Sequence, residues 1–312
     1  MIHVTAIGLP GLRNDTADRK SKTLTRRHLN KSAGTIRIKG NRLNKSLQRA
    51  LFCTGYESTK SRFNMSMKLP PTILVQEDDF HNAWARAVRY VLRDGLKITI
   101  GDASEPKPIR DACVLFELTG DAIRQIEDRE LHPQFPFQHI DPYCEEFTRE
   151  YLTQYVEKPE QERFSYLYFE RLVVYGDGDL DQIVPLRECL ATQIDTGIAS
   201  NRDQVITWQA DADLGSASPP CLQRIWIRYL GDQSVEVHLT WRSRDLYTAW
   251  QANIVAIIDM LNREVIHPNN CRIVKLTDYA DSLHIYESDS DGARRVKLLP
   301  ASPQKQKGLW EY

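Results

Sequence analysis

A regular alternation of apolar and polar positions begins near residue 71. TILVQ (72–76) reads as a short buried strand. Trp84, Val88, Val91 and Leu92 then share one helical face, with Gly95 as the stop. DACVLFEL (111–118) predicts a strand, and the proline-rich stretch HPQFPFQHIDP (132–142) a loop leading into an amphipathic helix around 144–155. Residues 181–195 are again helical in spacing, with Pro185 limiting where that helix starts. QVITW (204–208) reads as a strand. RIWIRYL (224–230) and VEVHLTW (235–241) alternate around Gly231-Asp232, which predicts a β-hairpin. LYTAWQANIVAIIDMLNR (246–263) is apolar nearly all round, the pattern of a buried helix. RIVKL (272–276) and SLHIY (282–286) predict two closing strands. Helices and strands mix without a βαβ rhythm or a repeat, so the expected class is α+β, a mixed sheet packed with helices.

Composition narrows the setting. A chain of 312 residues, 41% hydrophobic, can bury a substantial core without covalent staples. Six scattered cysteines (53, 113, 144, 189, 221 and 271) form no C-x-x-C pair and have no histidine cluster beside them. That argues against a metal site or a disulfide framework and for a reducing compartment. No apolar run reaches the roughly 20 residues of a membrane span, and the opening MIHVTAIGLPGLRND lacks the basic-then-apolar order of a secretory leader. A cytoplasmic location is the expectation. The net charge of −1 hides an asymmetry: residues 1–68 carry 15 Lys and Arg against three acids. Rich in Asn and Ser as well, this stretch reads as a basic, disordered N-terminal arm or an over-extended start of translation. A nucleic-acid-binding arm is the rival reading. The folded domain is expected over residues 69–312.

Cys221 has the most suggestive context for chemistry. It follows Pro219-Pro220, where the chain is pinned, just before a strand. Arg202 and Arg242 lie on segments that can converge on an anion, and nearby cations raise the thiolate fraction of a cysteine. A buried structural cysteine is the commoner fate of a lone Cys, so the surroundings must decide.

The order of motifs around Cys221 resembles the thymidylate synthase family, and its shorter archaeal-type branch most closely. Trp208 closes a strand, Pro-Pro-Cys-Leu follows with Cys221 thirteen residues on, then Arg242-Ser243-x-Asp245, Asn253-Ile on the buried helix, and His284-x-Tyr286. Upstream, YLYFERL from Tyr166 resembles the family's Tyr-x-Tyr-Gly-x-Arg-Leu, and Asp181-Gln-Ile its helix start. The resemblance covers roughly residues 72–290. It implies a sheet-mediated homodimer that transfers a one-carbon unit from 5,10-methylenetetrahydrofolate to C5 of dUMP, giving dTMP and dihydrofolate, with no metal. Cys221 is then the nucleophile. Asn253 reads the uracil edge, Arg202 and Arg242 bind phosphate with Ser243 beside them, and Arg202 is donated across the dimer. His284 and Tyr286 hold the ribose, Asp245 contacts the folate pterin, and Tyr168 assists proton transfer.

The general acid/base carboxylate is assigned to Glu146, with Glu150 one turn along the same helix as the alternative. The family's N-terminal phosphate arginine has no counterpart in GDAS (101–104), leaving Lys107 or Arg110 as substitutes. Phe169 stands where the family has Gly, and Ala249 and Gln251 flank the Asn helix. The tail QKGLWEY offers Trp310 as a cover for the pterin. A nucleotide hydroxymethylase on the same scaffold is the runner-up. An inactive nucleotide- or RNA-binding relative is the alternative of another class.

Overall fold

A computed structural model describes residues 69–300, apart from Asp102, Ala103, Asp177 and Asp179. The basic arm and Trp310 lie outside the described residues. Chain order is β1 (Thr72–Glu77), α1 (Phe80–Asp94), β2 (Leu96–Ile100), β3 (Lys107–Thr119), α2 (Asp121–Glu127), α3 (Ile140–Glu145), α4 (Arg149–Val156), α5 (Tyr168–Val173) and α6 (Ile183–Thr196). There follow β4 (Gln204–Ile206), α7 (Ala210–Asp213), β5 (Leu222–Gly231), β6 (Ser234–Trp241), β7 (Arg244–Asp245), α8 (Trp250–Leu261), β8 (Arg272–Tyr286) and α9 (Ser290–Ala293).

The strands form one mixed sheet in the order β1-β3-β8-β6-β5-β4, with β2 added to β3 and β7 to β8. β1 runs parallel to β3, and β6 and β7 parallel to β8; the other pairs are antiparallel. This is the α+β architecture the pattern predicts. One face is the core: Ile225 and Ile227 of β5, Val237 and Leu239 of β6 and Leu276 of β8 are buried, and the alternate positions Trp226, His238 and Thr277 are only partly covered. α8 packs its whole length inside, every residue but Asp259 being buried.

Local chemistry sets the boundaries. Asp79 caps α1 by accepting from the Asn82 N–H at 2.7 Å. Gly95 ends it, and a Cβ there would sit 2.3 Å from the Val91 carbonyl. The β5–β6 turn centres on Asp232 and Gln233, both at positive φ (47° and 53°), one residue later than the sequence pattern suggests.

Three expectations need correction. The helix around 144–155 is two helices, because Thr148 starts a new one by accepting from the Tyr151 N–H at 3.1 Å. Glu146 therefore caps the end of α3, and exposed Glu150 sits in the first turn of α4 rather than one turn further on the same helix. The helix expected over 246–263 starts at Trp250: Asp245 captures the N–H groups of Tyr247 (2.8 Å) and Thr248 (3.1 Å) in a local turn. The two closing strands are one 15-residue strand, β8, because the polar TDYAD stretch continues the ladder with Asp278 buried and paired.

His132 ties the C-terminal stretch to this frame. Fully buried, it accepts the Gln134 N–H at Nδ1 (3.0 Å), so Nε2 holds the proton and donates to the Lys297 carbonyl at 3.0 Å. Gln134 bonds Lys297 N and the Arg295 carbonyl, and Asn82 bonds Leu299 through both its amide groups. Burial, the largest cause, lowers the pKa of His132 below its usual value. The unfolded chain thus binds a proton that the folded chain resists, so stability is full above the unfolded pKa of about 6.5 and is lost as pH falls below it. We expect the urea midpoint of the wild type to fall more steeply between pH 7 and 5 than that of His132→Gln. Parallel pH dependences remove the coupling.

Candidate active site

The site is assembled on β7, β8 and the strand that follows Cys221. Cys221 enters β5 from a loop fixed at both ends. Tyr175 Oη donates to the Trp208 carbonyl at 2.8 Å, and Arg171 of α5 pairs with Asp213 of α7 at 3.0 Å, the carboxylate being 2% exposed. Arg242 closes the other end. Its Nε donates to the Pro220 carbonyl (3.0 Å), its Nη2 to the Pro219 carbonyl (2.6 Å), and Nη2 lies 3.6 Å from the Cys221 sulfur. These bonds leave the Nη1 protons for another acceptor.

Tyr166 lies against the Cys221 backbone, and the rings of Tyr166 and Tyr168 are 5.4 Å apart. Burial, first, and then the nearness of Cys221 raise the pKa of both phenols, which keeps them protonated. Tyr168 meets the Trp241 ring edge-on at 5.8 Å, and the Arg244 guanidinium sits 4.0 Å over the Trp241 centroid. Arg244 pairs with Asp278, which has no exposed surface and also accepts the indole N–H groups of Trp241 and Trp250, each at 2.8 Å. Burial lowers the pKa of Arg244 and raises that of Asp278, and their mutual attraction opposes both shifts.

Strand register places the next group. Asp245 of β7 pairs with His284 of β8, which pairs with Asp111 of β3, so three titratable side chains stand in one row. His284 and Tyr286 share a face, their rings 5.0 Å apart, as the alternation predicts. His284 is 3% exposed and neither ring nitrogen has a well-formed hydrogen bond, while burial lowers its pKa. Such a group is costly unless something completes it. Asp245 accepts from Tyr247, Thr248 and the Thr248 hydroxyl; burial raises its pKa and those bonds lower it. Ser243 is half-buried beside Arg242.

On α8, Asn253 is 8% exposed and its Nδ2 donates to Tyr143 Oη at 2.7 Å. Tyr143 leads back through Phe147, 5.6 Å between rings, to Tyr168 at a further 6.4 Å. Glu146 sits one helical turn from Tyr143, its pKa raised by burial. Cys221, Arg242, Tyr168, Asp245 and Tyr286 are therefore one electrostatic neighbourhood, with Asn253, Tyr143 and Glu146 joined to it through aromatic contacts.

Three sequence candidates stand elsewhere. Arg202 is exposed in a cleft with Cys189, Ser200 and Arg228. Its neighbour Asn201 accepts from the Trp226 indole, and Trp226 is five β5 residues from Cys221, about 17 Å at strand rise. The convergence of Arg202 and Arg242 on one anion within a single chain is not what forms. Arg110 pairs in register with Ile285 and so faces away from His284 and Tyr286; exposed Lys107 pairs with Glu105 at 3.6 Å. Sequence reasoning missed Tyr143, Arg244 and the Arg171–Asp213 clamp. The three-residue step from Tyr143 to Glu146 is a signal that would have found the first. Among the described residues no group of three or more His, Cys, Asp or Glu is placed to hold a metal ion, and no helix is long and apolar enough to cross a membrane.

An α+β scaffold thus sets a thiol beside a guanidinium, with an amide, a buried imidazole and half-buried phenols in the same region. No protein-family model matches the chain. A Methanopyrus kandleri protein described as "Putative thymidylate synthase" is 32% identical over 148 residues, 47% of this chain and 67% of the relative. Proteins of the same description from Methanothermobacter thermautotrophicus and Methanothermobacter marburgensis are each 22% identical over 71% of this chain, covering 97% and 96% of their own lengths. The chain belongs to the thymidylate synthase family.

The Asp278 cluster generates a stability test. Asp278→Ala strands a buried guanidinium and two indole N–H groups and should cost about 3–5 kcal/mol in urea unfolding. Asp278→Leu combined with Arg244→Met should cost far less. Equal losses would contradict the pairing.

Proposed function

We propose that the chain is a thymidylate synthase: it binds dUMP, adds the Cys221 thiolate to C6 of the uracil and transfers a one-carbon unit from 5,10-methylenetetrahydrofolate to C5, giving dTMP and dihydrofolate. The observation that carries this reading is the Arg242 guanidinium, 3.6 Å from the Cys221 sulfur while it pins the two preceding carbonyls. That contact sets the thiol at the edge of a cationic group whose remaining protons suit a phosphate oxygen.

The 4-carbonyl makes C6 electrophilic, and thiolate addition makes C5 a nucleophile. The folate co-substrate supplies the methylene carbon and then the hydride. The residues around the base supply the rest. Asn253 reads N3–H and O4 with its amide. His284, whose buried ring nitrogens have no well-formed hydrogen bond, and Tyr286 take the ribose. Tyr168, kept protonated by burial, and Glu146, whose carboxyl is lifted by burial, handle the protons at C5 and O4. Asp245 keeps lone pairs beyond its three bonds, enough to accept from a pterin amine.

Arg202 belongs, in this reading, to the phosphate site of a second copy. The sheet face away from the helices, with Trp226, His238 and 55%-exposed Leu74, supports a homodimer through the sheet. Residues 69–312 make the catalytic domain, and the arm 1–68 lies outside the mechanism.

Two tests follow. Wild type should release tritium from [5-³H]dUMP and form dihydrofolate; Cys221→Ala should release none. Release without dihydrofolate would replace methyl transfer by hydroxymethyl transfer. Arg202→Ala and Cys221→Ala, each inactive alone, should on mixing regain about a quarter of wild-type activity, since half the dimers then hold one complete site. No recovery on mixing, with subunit exchange verified, removes Arg202 from the partner's site.

A further inference from the structure

The base-reading amide has a partner of its own. Asn253 Nδ2 donates to Tyr143 Oη at 2.7 Å, and Tyr143 is gripped edge-on by Phe137 (5.9 Å) and Phe147 (5.6 Å). A primary amide is nearly symmetric in shape but opposite in chemistry at its two ends. With oxygen toward N3 and nitrogen toward O4 it complements uracil. Turned over, it offers a donor to N3 and an acceptor to the exocyclic amine, which complements cytosine. An asparagine alone therefore does not fix the base; something must fix the asparagine.

We propose that Tyr143 is a specificity-determining positioning residue that holds the Asn253 amide in its uracil-reading orientation, an inference that rests on the functional reading above. A tyrosine hydroxyl can accept or donate, so its own proton must be engaged for it to discriminate. Glu146, three residues along α3, is the neighbouring group able to take that proton, directly or through a water. With the proton turned to Glu146, Oη can only accept. It then takes an Asn253 N–H and leaves Oδ1 and the second N–H for the base. A turned amide would set two acceptors, Oη and Oδ1, against each other.

Tyr143→Phe keeps the ring and its aromatic contacts and removes only the hydroxyl. The test is calorimetric binding of dUMP and of dCMP to wild type and variant. Wild type should prefer dUMP, and the preference should narrow roughly ten-fold in Tyr143→Phe, partly through tighter dCMP binding, because the amide is free to turn. A purely structural role would weaken both nucleotides together and leave their ratio unchanged, which overturns the proposal. If Tyr143→Phe does not fold, Glu146→Ala serves. It removes the group that takes the Tyr143 proton, so the same narrowing is expected, and an unchanged ratio overturns the proposal. Failure of wild type to bind dUMP at all sinks the functional reading itself, and this inference with it.

Discussion

A carboxylate with no exposed surface stands in the middle of β8, and the site is arranged around it. Asp278 draws one donor from each of three elements: the Trp241 indole of β6, the Arg244 guanidinium of β7 and the Trp250 indole of α8. A buried carboxylate is tolerated only when its lone pairs are filled, so these three elements are fixed relative to β8. The chemistry follows from that fixation. Trp241 backs Tyr168 and immediately precedes Arg242; Asp245 follows Arg244; Asn253 is three residues beyond Trp250 on the same helix. Arg242, Asp245 and Asn253, the proposed phosphate, folate and base contacts, are thus each within a few residues of a group bonded to one carboxylate.

Arg242 adds the second constraint. Its three contacts convert the Pro219-Pro220-Cys221 corner into a rigid ledge, and the Arg171–Asp213 pair fixes the far side of the same loop. Preorganisation of this kind spares the ordering cost when a ligand arrives. The His284 imidazole is the opposite case: a buried polar group with no well-formed hydrogen bond, at the face where a ribose is proposed to lie.

Much of this was legible in the sequence because it is periodic or local. The strand alternation of β5 and β6, the all-round apolar α8 and the shared face of His284 and Tyr286 follow from side-chain spacing. What stayed hidden depends on partners far apart in the chain. The polar stretch around Asp278 interrupts the apolar pattern, so the sequence predicts two strands where the pairing with Arg244, 34 positions away, makes β8 one. Thr148 and Asp245 moved helix boundaries through single side-chain bonds that periodicity does not register. Tyr143 shows only its three-residue step to Glu146 in the sequence, because its hydrogen-bond partner lies 110 residues on. Arg202 is suggested by its place in a motif, but strand register sets it far along the sheet from Cys221, a distance that motif order does not encode.

The proposed mechanism requires a covalent bond between the Cys221 sulfur and C6 of a uracil nucleotide. Fluorine at C5 cannot leave as a proton, so 5-fluoro-dUMP with methylenetetrahydrofolate should arrest the reaction after the bond has formed. Intact-protein mass spectrometry should then show one nucleotide and one folate added per chain, with fragmentation placing the adduct on Cys221. An unmodified chain, or an adduct on any other residue, would contradict the mechanism.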